Sequence, residues 1–420
     1  MGGAEPLERI EGELAGDDAA GHRRQSLRRR ASAVSRLGPP GAGRGCEAQR
    51  ARGRPRCGGA VPAAATNLES AALNGDARPD RRPSLSVVIV THDSAAALPR
   101  TLAAIGAELR AGDELVVADN ASTDGTRELV AELAPAARLI ARPVNDGFAA
   151  ACNAGASTAG GELLLFLNPD VVVAAGFRDA IELPLLDGRG WGAWQGLVTA
   201  EEGRAINSGG GVVHFTGIAW AGGAGRPRDR APHGPGEVAF ASGASLAIPR
   251  ATWERLGGFS EPYFLYHEDT DLGLRLRLAG LAVGVEPGAV CEHDYEFDKG
   301  PAKWRHLERN RWATILRTYP RRLLLLLLPA LLATELALHA VALAGGWLGQ
   351  KLRADLDALR ALPRLLGERR AIQAGAQVSA AAFAAVLTPD LDSDFLGGAA
   401  RSRPLHALLR AYWRIVKRLL

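Results

Sequence analysis

The segment Phe264-Leu265-Tyr266-His267-Glu268-Asp269-Thr270-Asp271-Leu272 sets three carboxylates within four positions, directly ahead of a helical pattern. A helix N-terminus tolerates such crowding, because its free amide groups and macrodipole favour negative charge. Acids placed there cap the helix, or one of them serves as a general base. Three further polar clusters each follow a short apolar run: Thr91-His92-Asp93, Asp119-Asn120 and Asn168-Pro169-Asp170. Acceptor groups in such places suit a nucleotide. Asp170 suits a divalent metal, because hard cations take oxygen ligands and commonly bridge a protein carboxylate to substrate phosphates. A GxGxxG fingerprint is missing after the first run, where Thr91-His92-Asp93-Ser94 stands instead, and there is no P-loop. Phosphate charge must therefore be met in another way.

The elements that have to position these groups read as alternating strands and helices. Leu85-Ser86-Val87-Val88-Ile89-Val90 is a short β-branched run of the kind buried on both faces of a parallel sheet. Helical spacing follows over 95–109, then a strand over 114–118, a helix over 124–133, a strand over 138–140, a small-residue helix over 147–158 and a strand over 162–167. Such alternation predicts an α/β fold of right-handed βαβ units. Ligands bind such sheets at the carboxyl ends of the strands, which is where all three polar clusters fall. From Trp191 to Pro249 the periodicity breaks into Gly-rich segments, and loops are expected there.

Composition divides the 420 residues into three parts. Residues 1–83, rich in Arg, Ala, Gly and Pro, carry no apolar periodicity and are expected to be a disordered, solvated tail or an over-extended translation start. They hold no secretory-type apolar stretch. Residues 84–320 form the α/β domain. Residues 321–420 are hydrophobic and basic amphipathic helices. The net charge of +4 does not by itself point to nucleic acid, and none is expected as a partner. Cys46, Cys57, Cys152 and Cys291 lack CxxC spacing, which argues against a zinc site or a disulfide framework.

Five motifs, in order and with matching spacing, carry a resemblance: Ser86 to Asp93, Val117 to Gly125, Asn145-Asp146-Gly147-Phe148 through Asn153-Ala154-Gly155, Phe166 to Asp170, and His267 to Leu272. Together they are similar to glycosyltransferase family 2, in particular to its bacterial rhamnosyltransferase and galactofuranosyltransferase branch of cell-surface polysaccharide synthesis. The resemblance covers about residues 84–320 and implies a GT-A fold, a Rossmann-like nucleotide-binding half merged with an acceptor half. It makes Asp119 the reader of the pyrimidine N3–H, for which an acceptor-only carboxylate is suited, and puts Thr91, Asp93 and Asn120 against base and ribose. Asn145, Gly147 and Asn153 resemble the loop and helix that close over the nucleotide, although capping and turn chemistry explain each locally as well. Where the family's metal motif is often Asp-x-Asp, Asn168 takes the first place, leaving Asp170 as the expected ligand of Mn²⁺ or Mg²⁺. His293 follows an apolar run 24 positions after Asp269 and matches a metal-coordinating His of the galactofuranosyl branch.

By the same resemblance Asp269 is the general base of an inverting transfer from a UDP or dTDP sugar to a hydroxyl of a lipid-linked or polysaccharide acceptor. Glu268 and Asp271 orient the helix start or touch the acceptor, with Arg275 one turn on as a partner for Asp271. His214 and Trp220 are placed to stack on or bond an acceptor sugar, each with a plain structural role as the alternative. Cations between Lys303 and Arg311 would approach the diphosphate, or would form a solvated helix face.

The run Leu323 to Leu348 would reach about 39 Å as a helix, enough to span a bilayer. Basic residues flank both ends, and Glu335 and His339 share one face, which favours a hydrophobic helix pair lying in the membrane plane or re-entering it. The soluble alternative is a core or dimer helix. Basic amphipathic patterns follow over 352–366 and 406–420 and suit anionic lipid, with 389–398 connecting them. The expected location is the cytoplasmic face of the plasma membrane, with homo-oligomers left open. The competing reading is a catalytically inactive relative acting as a membrane scaffold.

Overall fold

A computed structural model describes residues 82–293, 300–393 and 396–420. The disordered tail expected over 1–83 falls almost wholly outside the described residues.

The strands are β1 (Leu85–Thr91), β2 (Glu114–Asn120), β3 (Arg138–Arg142), β4 (Leu163–Leu167), β5 (Val171–Val173), β6 (Trp191–Ala200), β7 (Ala205–Ser208), β8 (Gly211–His214), β9 (Ala219–Ala221), β10 (Gly236–Val238), β11 (Ser245–Pro249), β12 (Ala282–His293) and β13 (Leu387–Thr388). One ten-stranded sheet runs β10-β12-β6-β11-β4-β1-β2-β3, with β5 added on β12 and β7 on β6. Strands β3, β2, β1 and β4 are mutually parallel, while β11 is antiparallel to both β4 and β6. A small sheet, β13-β8-β9, joins the chain's end to its middle.

The period-2 pattern of β1 explains its burial. Val87 and Ile89 enter one core with Leu165, Val117 and Trp194, and Val88 and Val90 enter another with Phe166, Val116 and Trp253. The helix Phe148–Thr158 packs close to the sheet because its inner face is made of small residues. A Cβ at Gly155 would lie 2.4 Å from a Val88 methyl group.

The expected helices and strands of the first half are present over 85–167. About half of the segment from Trp191 to Pro249, expected as loops, is instead strand. Trp191–Ala200 is a ten-residue strand inside the main sheet, its glycines placed where Cβ atoms would collide with Leu276 at Gly192 and with the Ala289 carbonyl at Gly196. Glycine there marks close backbone approach rather than a turn.

The apolar run forms the helix Arg321–Ala344, long and apolar enough to cross a membrane. Leu323, Leu327 and Leu331 turn inward at helical spacing onto Val213, Phe215, Ile315, Phe383 and Trp413. Leu325, Leu328, Leu332 and Leu336 remain exposed on the other side. The chain then turns at Gly345-Gly346 into the helix Leu348–Ala374, and ends in the amphipathic helix Arg403–Leu419.

Candidate active site

At the carboxyl ends of β1 and β2, register pairs Thr91 with Asp119. Thr91 Oγ1 donates to Asp119 Oδ1 at 2.9 Å, Ser122 N–H donates to Oδ2 at 3.1 Å, and the Ser122 hydroxyl and Arg127 Nε add two more donors. Burial alone would raise the pKa of Asp119, but the Ser122, Arg127 and Thr91 donors outweigh it and hold the group ionised below the ordinary range. Both oxygens are occupied, so a bound base would exchange with one of these donors. Thr91, fully buried, orients Asp119 rather than facing outward. Asp93, with φ 46°, stays exposed at the rim, where its Oδ1 accepts Thr123 N–H at 2.8 Å. Asn120 donates to the Gly147 carbonyl at 3.0 Å, and its own side-chain oxygen is buried without a hydrogen-bond partner. A buried orphan acceptor is costly unless something fills it.

Asn145 Oδ1 accepts Gly147 N–H at 3.1 Å, shaping the loop ahead of the helix Phe148–Thr158. Gly147 has φ 95°, and a Cβ there would lie 2.5 Å from the Phe264 carbonyl oxygen. Only glycine permits that contact between the nucleotide-edge loop and the segment leading to the acids. Asn153 is turned away from this edge: its amide donates to the Phe259 carbonyl at 2.9 Å and its oxygen accepts Phe259 N–H at 3.0 Å. It clasps the turn before the acidic segment.

Beyond β4 the chain passes through Asn168-Pro169-Asp170 into β5, which pairs with β12 so that Val171 stands opposite His293. His293 Nε2 therefore lies 3.2 Å from Asp170 Oδ1 and 3.5 Å from the Asn168 amide nitrogen. His293 is buried and Asp170 is 43% exposed, so the pair opens to solvent from the carboxylate side. One imidazole and one carboxylate converging in this way fit a divalent cation that completes its shell with substrate oxygens and water.

The three acids of the helix Glu268–Leu278 receive different surroundings. Asp269 is partly buried and accepts Gly243 N–H at 3.3 Å and Thr270 N–H at 2.6 Å; its pKa is raised by burial, against the pull of those amides. Glu268 is buried with one carboxylate oxygen unpartnered, and burial, then the neighbouring Asp269 and Asp271, push its pKa well above the ordinary value. Asp271 is fully buried, bonded by Arg275 at 2.7 Å, Arg317 at 2.8 Å and the Tyr263 hydroxyl at 3.1 Å. Its position is that of a scaffold ion pair, with no exposed oxygen for an acceptor.

The loop Ser242–Ser245 links the two halves of the site. Gly243 donates to Asp269, and the next residue, Ala244, accepts Asn168 N–H at 3.3 Å. Asp269 and the Asp170–His293 pair are thus connected through two adjacent backbone groups.

Ahead of the acids, Phe264, Tyr266 and His267 have φ of 63°, 69° and 67°. Three left-handed non-glycine residues so close together are strained, and the structure has to hold them there. Asn310 does so, its amide nitrogen lying 3.0, 2.9 and 2.7 Å from the carbonyl oxygens of Tyr263, Leu265 and Tyr266. Arg309 donates to Tyr263 O at 2.8 Å, and Phe264 stacks on His306. Sequence reasoning did not single out Asn310. An Asn inside a long helix, where its propensity is poor, was the available signal.

His214 and Trp220 lie in the small sheet, on β8 and β9. His214 is buried against Phe215 and Thr216, and burial lowers its pKa to about 4. The cations of 303–311 are not a solvated face, since two of them are held by carboxylates within the protein. Arg311 is buried on Glu308 and Glu335, and Arg305 pairs with Asp357 at 2.7 Å. Glu335 also receives Trp312 Nε1 at 3.0 Å and the Lys351 ammonium, while His339 meets Asp355 at 3.0 Å. Glu335, His339 and Asp355 have metal-ligand spacing. Lys351, buried and 2.6 Å from Asp355, already supplies the positive charge there.

The glycosyl transferase family 2 profile matches residues 86–179. The N-acetylglucosaminyl-diphospho-decaprenol L-rhamnosyltransferase of Mycobacterium tuberculosis is 29% identical over 262 residues, 55% of this chain and 82% of that protein. Among solved structures, a Pyrobaculum calidifontis mannosyltransferase in complex with GDP-Man and Mn²⁺ aligns with TM-score 0.41 and 20% identity, over 81% of this chain and 87% of its own. GalNAc-T7 with UDP, GalNAc and Mn²⁺ aligns with TM-score 0.48 and 17% identity, over 58% of this chain and about half, 49%, of its own. Residues 86–179 are a glycosyl transferase family 2 domain, carried by a chain homologous to a mycobacterial rhamnosyltransferase.

Proposed function

We propose that the chain catalyses inverting, metal-dependent transfer of a sugar, with L-rhamnose the first candidate, from a UDP or dTDP donor to a hydroxyl of a lipid-linked acceptor in cell-envelope glycan synthesis. The observation that carries this reading is the junction through Gly243 and Ala244, which ties Asp269 to the segment bearing Asp170 and, across β5 and β12, to His293. A general base and a metal-fitting pair on one connected frame are what attack on a sugar-diphosphate bond requires. The 29% identity to a protein named as an N-acetylglucosaminyl-diphospho-decaprenol L-rhamnosyltransferase supports the transferred sugar and the acceptor class.

Each residue then has a task. Asp119, held ionised by its four donors, meets the pyrimidine imide, with Asp93 and the unpartnered oxygen of Asn120 at the same edge. Asn145 and Gly147 shape the loop that covers the nucleotide and rests on Phe264. Asp170 and His293 would hold Mn²⁺ or Mg²⁺, which when bound stabilises the charge on the departing diphosphate. Asp269, its pKa raised by burial, takes the proton of the acceptor hydroxyl as that oxygen attacks the anomeric carbon. A single displacement at that carbon inverts it. Glu268, shifted by burial and by the neighbouring Asp269 toward its protonated form, lessens the negative charge beside the incoming hydroxyl.

The helix Arg321–Ala344 supports a place at the cytoplasmic face of the membrane, lying in plane. Its inner side is bound to the protein through Leu323, Leu327, Leu331 and the Glu335 ion pairs, and its outer side presents leucines to lipid. The test is a screen of UDP and dTDP sugars with purified full-length protein, with and without Mn²⁺, read by mass spectrometry of product on a short-chain polyprenyl-diphosphate N-acetylglucosamine. Mn²⁺-dependent addition of one sugar supports the proposal; hydrolysis alone or no turnover with any donor counts against it.

A further inference from the structure

A cavity of about 340 Å³ lies between the helix Ala302–Thr318 and the helix Leu348–Ala374, closed at one side by Tyr263. Four guanidinium groups line it, Arg305, Arg309, Arg360 and Arg364, with Asp357 as the carboxylate in its wall. Asp357 is shared: it binds Arg305 at 2.7 Å and stands 4.0 Å from Arg360. Arg364 leans on Glu368 at 2.6 Å, and Glu368 is itself drawn to Arg317 at 2.9 Å. Among the described residues no carboxylate lies within ion-pair distance of Arg309, whose bonds go to the Tyr263 carbonyl, the Asn310 side chain and the His306 ring. Burial, and the nearby Arg305 and Arg364, press the pKa of Arg309 down despite Asp357. Positive charge in this cavity therefore exceeds the acid available to balance it.

Guanidinium forks match phosphate oxygens, and a concave cluster of them is a recognition site for a doubly or triply charged group. Two features narrow the ligand further. Leu356, one helical turn before Arg360, is exposed beside the cavity rim, so an apolar chain leaving an anionic head there would meet an apolar partner. The opposite wall, Arg309 and Asn310, grips the Tyr263 carbonyl at the start of the left-handed loop that ends in Asp269.

We propose that this cavity receives the diphosphate of a polyprenyl-diphosphate-linked acceptor, with Arg305, Arg309, Arg360 and Arg364 meeting its phosphate oxygens and its lipid chain leaving past Leu356. The inference rests on the transfer reading above and adds the place where the acceptor's head is held, separate from the nucleotide edge at β1 and β2. It also joins acceptor recognition to the loop that leads into the helix bearing the base.

The test uses the full chain and farnesyl diphosphate as probe, followed by calorimetry, with phosphatidylcholine vesicles, with and without phosphatidylglycerol, as the second arm. Arg360 and Arg364 are exposed, so the double variant Arg360→Glu/Arg364→Glu should fold, which a thermal melt checks. It is expected to bind farnesyl diphosphate roughly tenfold or more weakly, as removal of charge-assisted hydrogen bonds predicts. Arg370→Glu, exposed on the same helix outside the cavity, controls for net charge and should keep wild-type affinity. Arg360→Ala alone should weaken binding by a smaller factor and serves if the double variant does not fold. Unchanged affinity in these variants, an equal loss in Arg370→Glu, or a loss confined to phosphatidylglycerol vesicles would overturn the proposal, the last by making a phospholipid headgroup the ligand. If the wild type binds farnesyl diphosphate through these arginines but transfers no sugar, the cavity assignment stands and the transfer reading fails.

Discussion

Asp170 Oδ1 stands 3.2 Å from His293 Nε2 because β5 and β12 pair antiparallel with Val171 opposite His293. A short strand directly after Asp170 is thus what brings two distant positions to bonding distance. If the pair holds the metal, Asp170→Ala and His293→Ala should each weaken Mn²⁺-dependent binding of UDP or dTDP by at least about 10- to 100-fold, the scale seen even for outer-shell partners. Calorimetric titration with and without Mn²⁺ reads this directly. Equal affinities in both conditions would remove the pair from the metal site.

The unequal surroundings of Glu268 and Asp269 give a paired prediction. Asp269→Asn should lower turnover by about 10² to 10⁴, the usual contribution of a general base, while donor binding persists. Glu268→Gln replaces a carboxyl that burial already shifts toward its protonated form and should retain most of the activity. Because burial raises the pKa of Asp269, the acidic limb of kcat/KM should sit at higher pH than for an ordinary aspartate. A pH–rate profile with the limb at or below the ordinary range would contradict this.

Asp271 makes a stability prediction. Asp271→Ala would leave Arg275 and Arg317 buried without their carboxylate and should cost about 3 to 5 kcal/mol in urea unfolding. Burial would raise the pKa of Asp271, but Arg317 and Arg275 overcome it and lower the value. The unfolded chain therefore binds this proton more readily than the folded one. The contribution is complete above the ordinary value of 3.8 and disappears as pH falls through the lower folded value. A wild type whose stability does not fall at acid pH relative to Asp271→Ala would refute the pairing's importance.

For the membrane face, Leu328→Asp, Leu332→Asp and Leu336→Asp combined should move the protein from the membrane to the soluble fraction without loss of fold, since all three side chains point outward. Removing residues 323–420 altogether would be a poor test, because Leu323, Leu327, Leu331, Phe383 and Trp413 complete the core around Val213 and Ile315. Retention of the triple variant on phosphatidylglycerol vesicles to the wild-type extent would contradict the in-plane placement.

The first half of the fold was legible because β1, β2 and β4 are short apolar runs between polar turns and their carboxyl-end residues fall on one edge. The strands between Trp191 and Pro249 were not, because glycines demanded by close contacts with Leu276 and Ala289 imitate a loop composition. Proximity of Asp170 and His293 was anticipated through family likeness, whereas its cause, the β5–β12 pairing, is a long-range register that no local pattern encodes. Acidic crowding at 268–271 was visible, but which acid is locked by arginines depended on Arg317, far along the chain. His214 shows the opposite case: a histidine beside glycines reads as a sugar contact, yet it is buried against Phe215 and Thr216.

The most direct test of the central claim is single-turnover transfer by wild type and Asp269→Asn, each with the sugar nucleotide chosen by the donor screen, Mn²⁺ and a polyprenyl-diphosphate N-acetylglucosamine. Wild type should release the nucleoside diphosphate and give one product of inverted anomeric configuration, and Asp269→Asn should bind the donor yet give essentially none. A retained anomeric configuration, or comparable product from Asp269→Asn, would contradict the account.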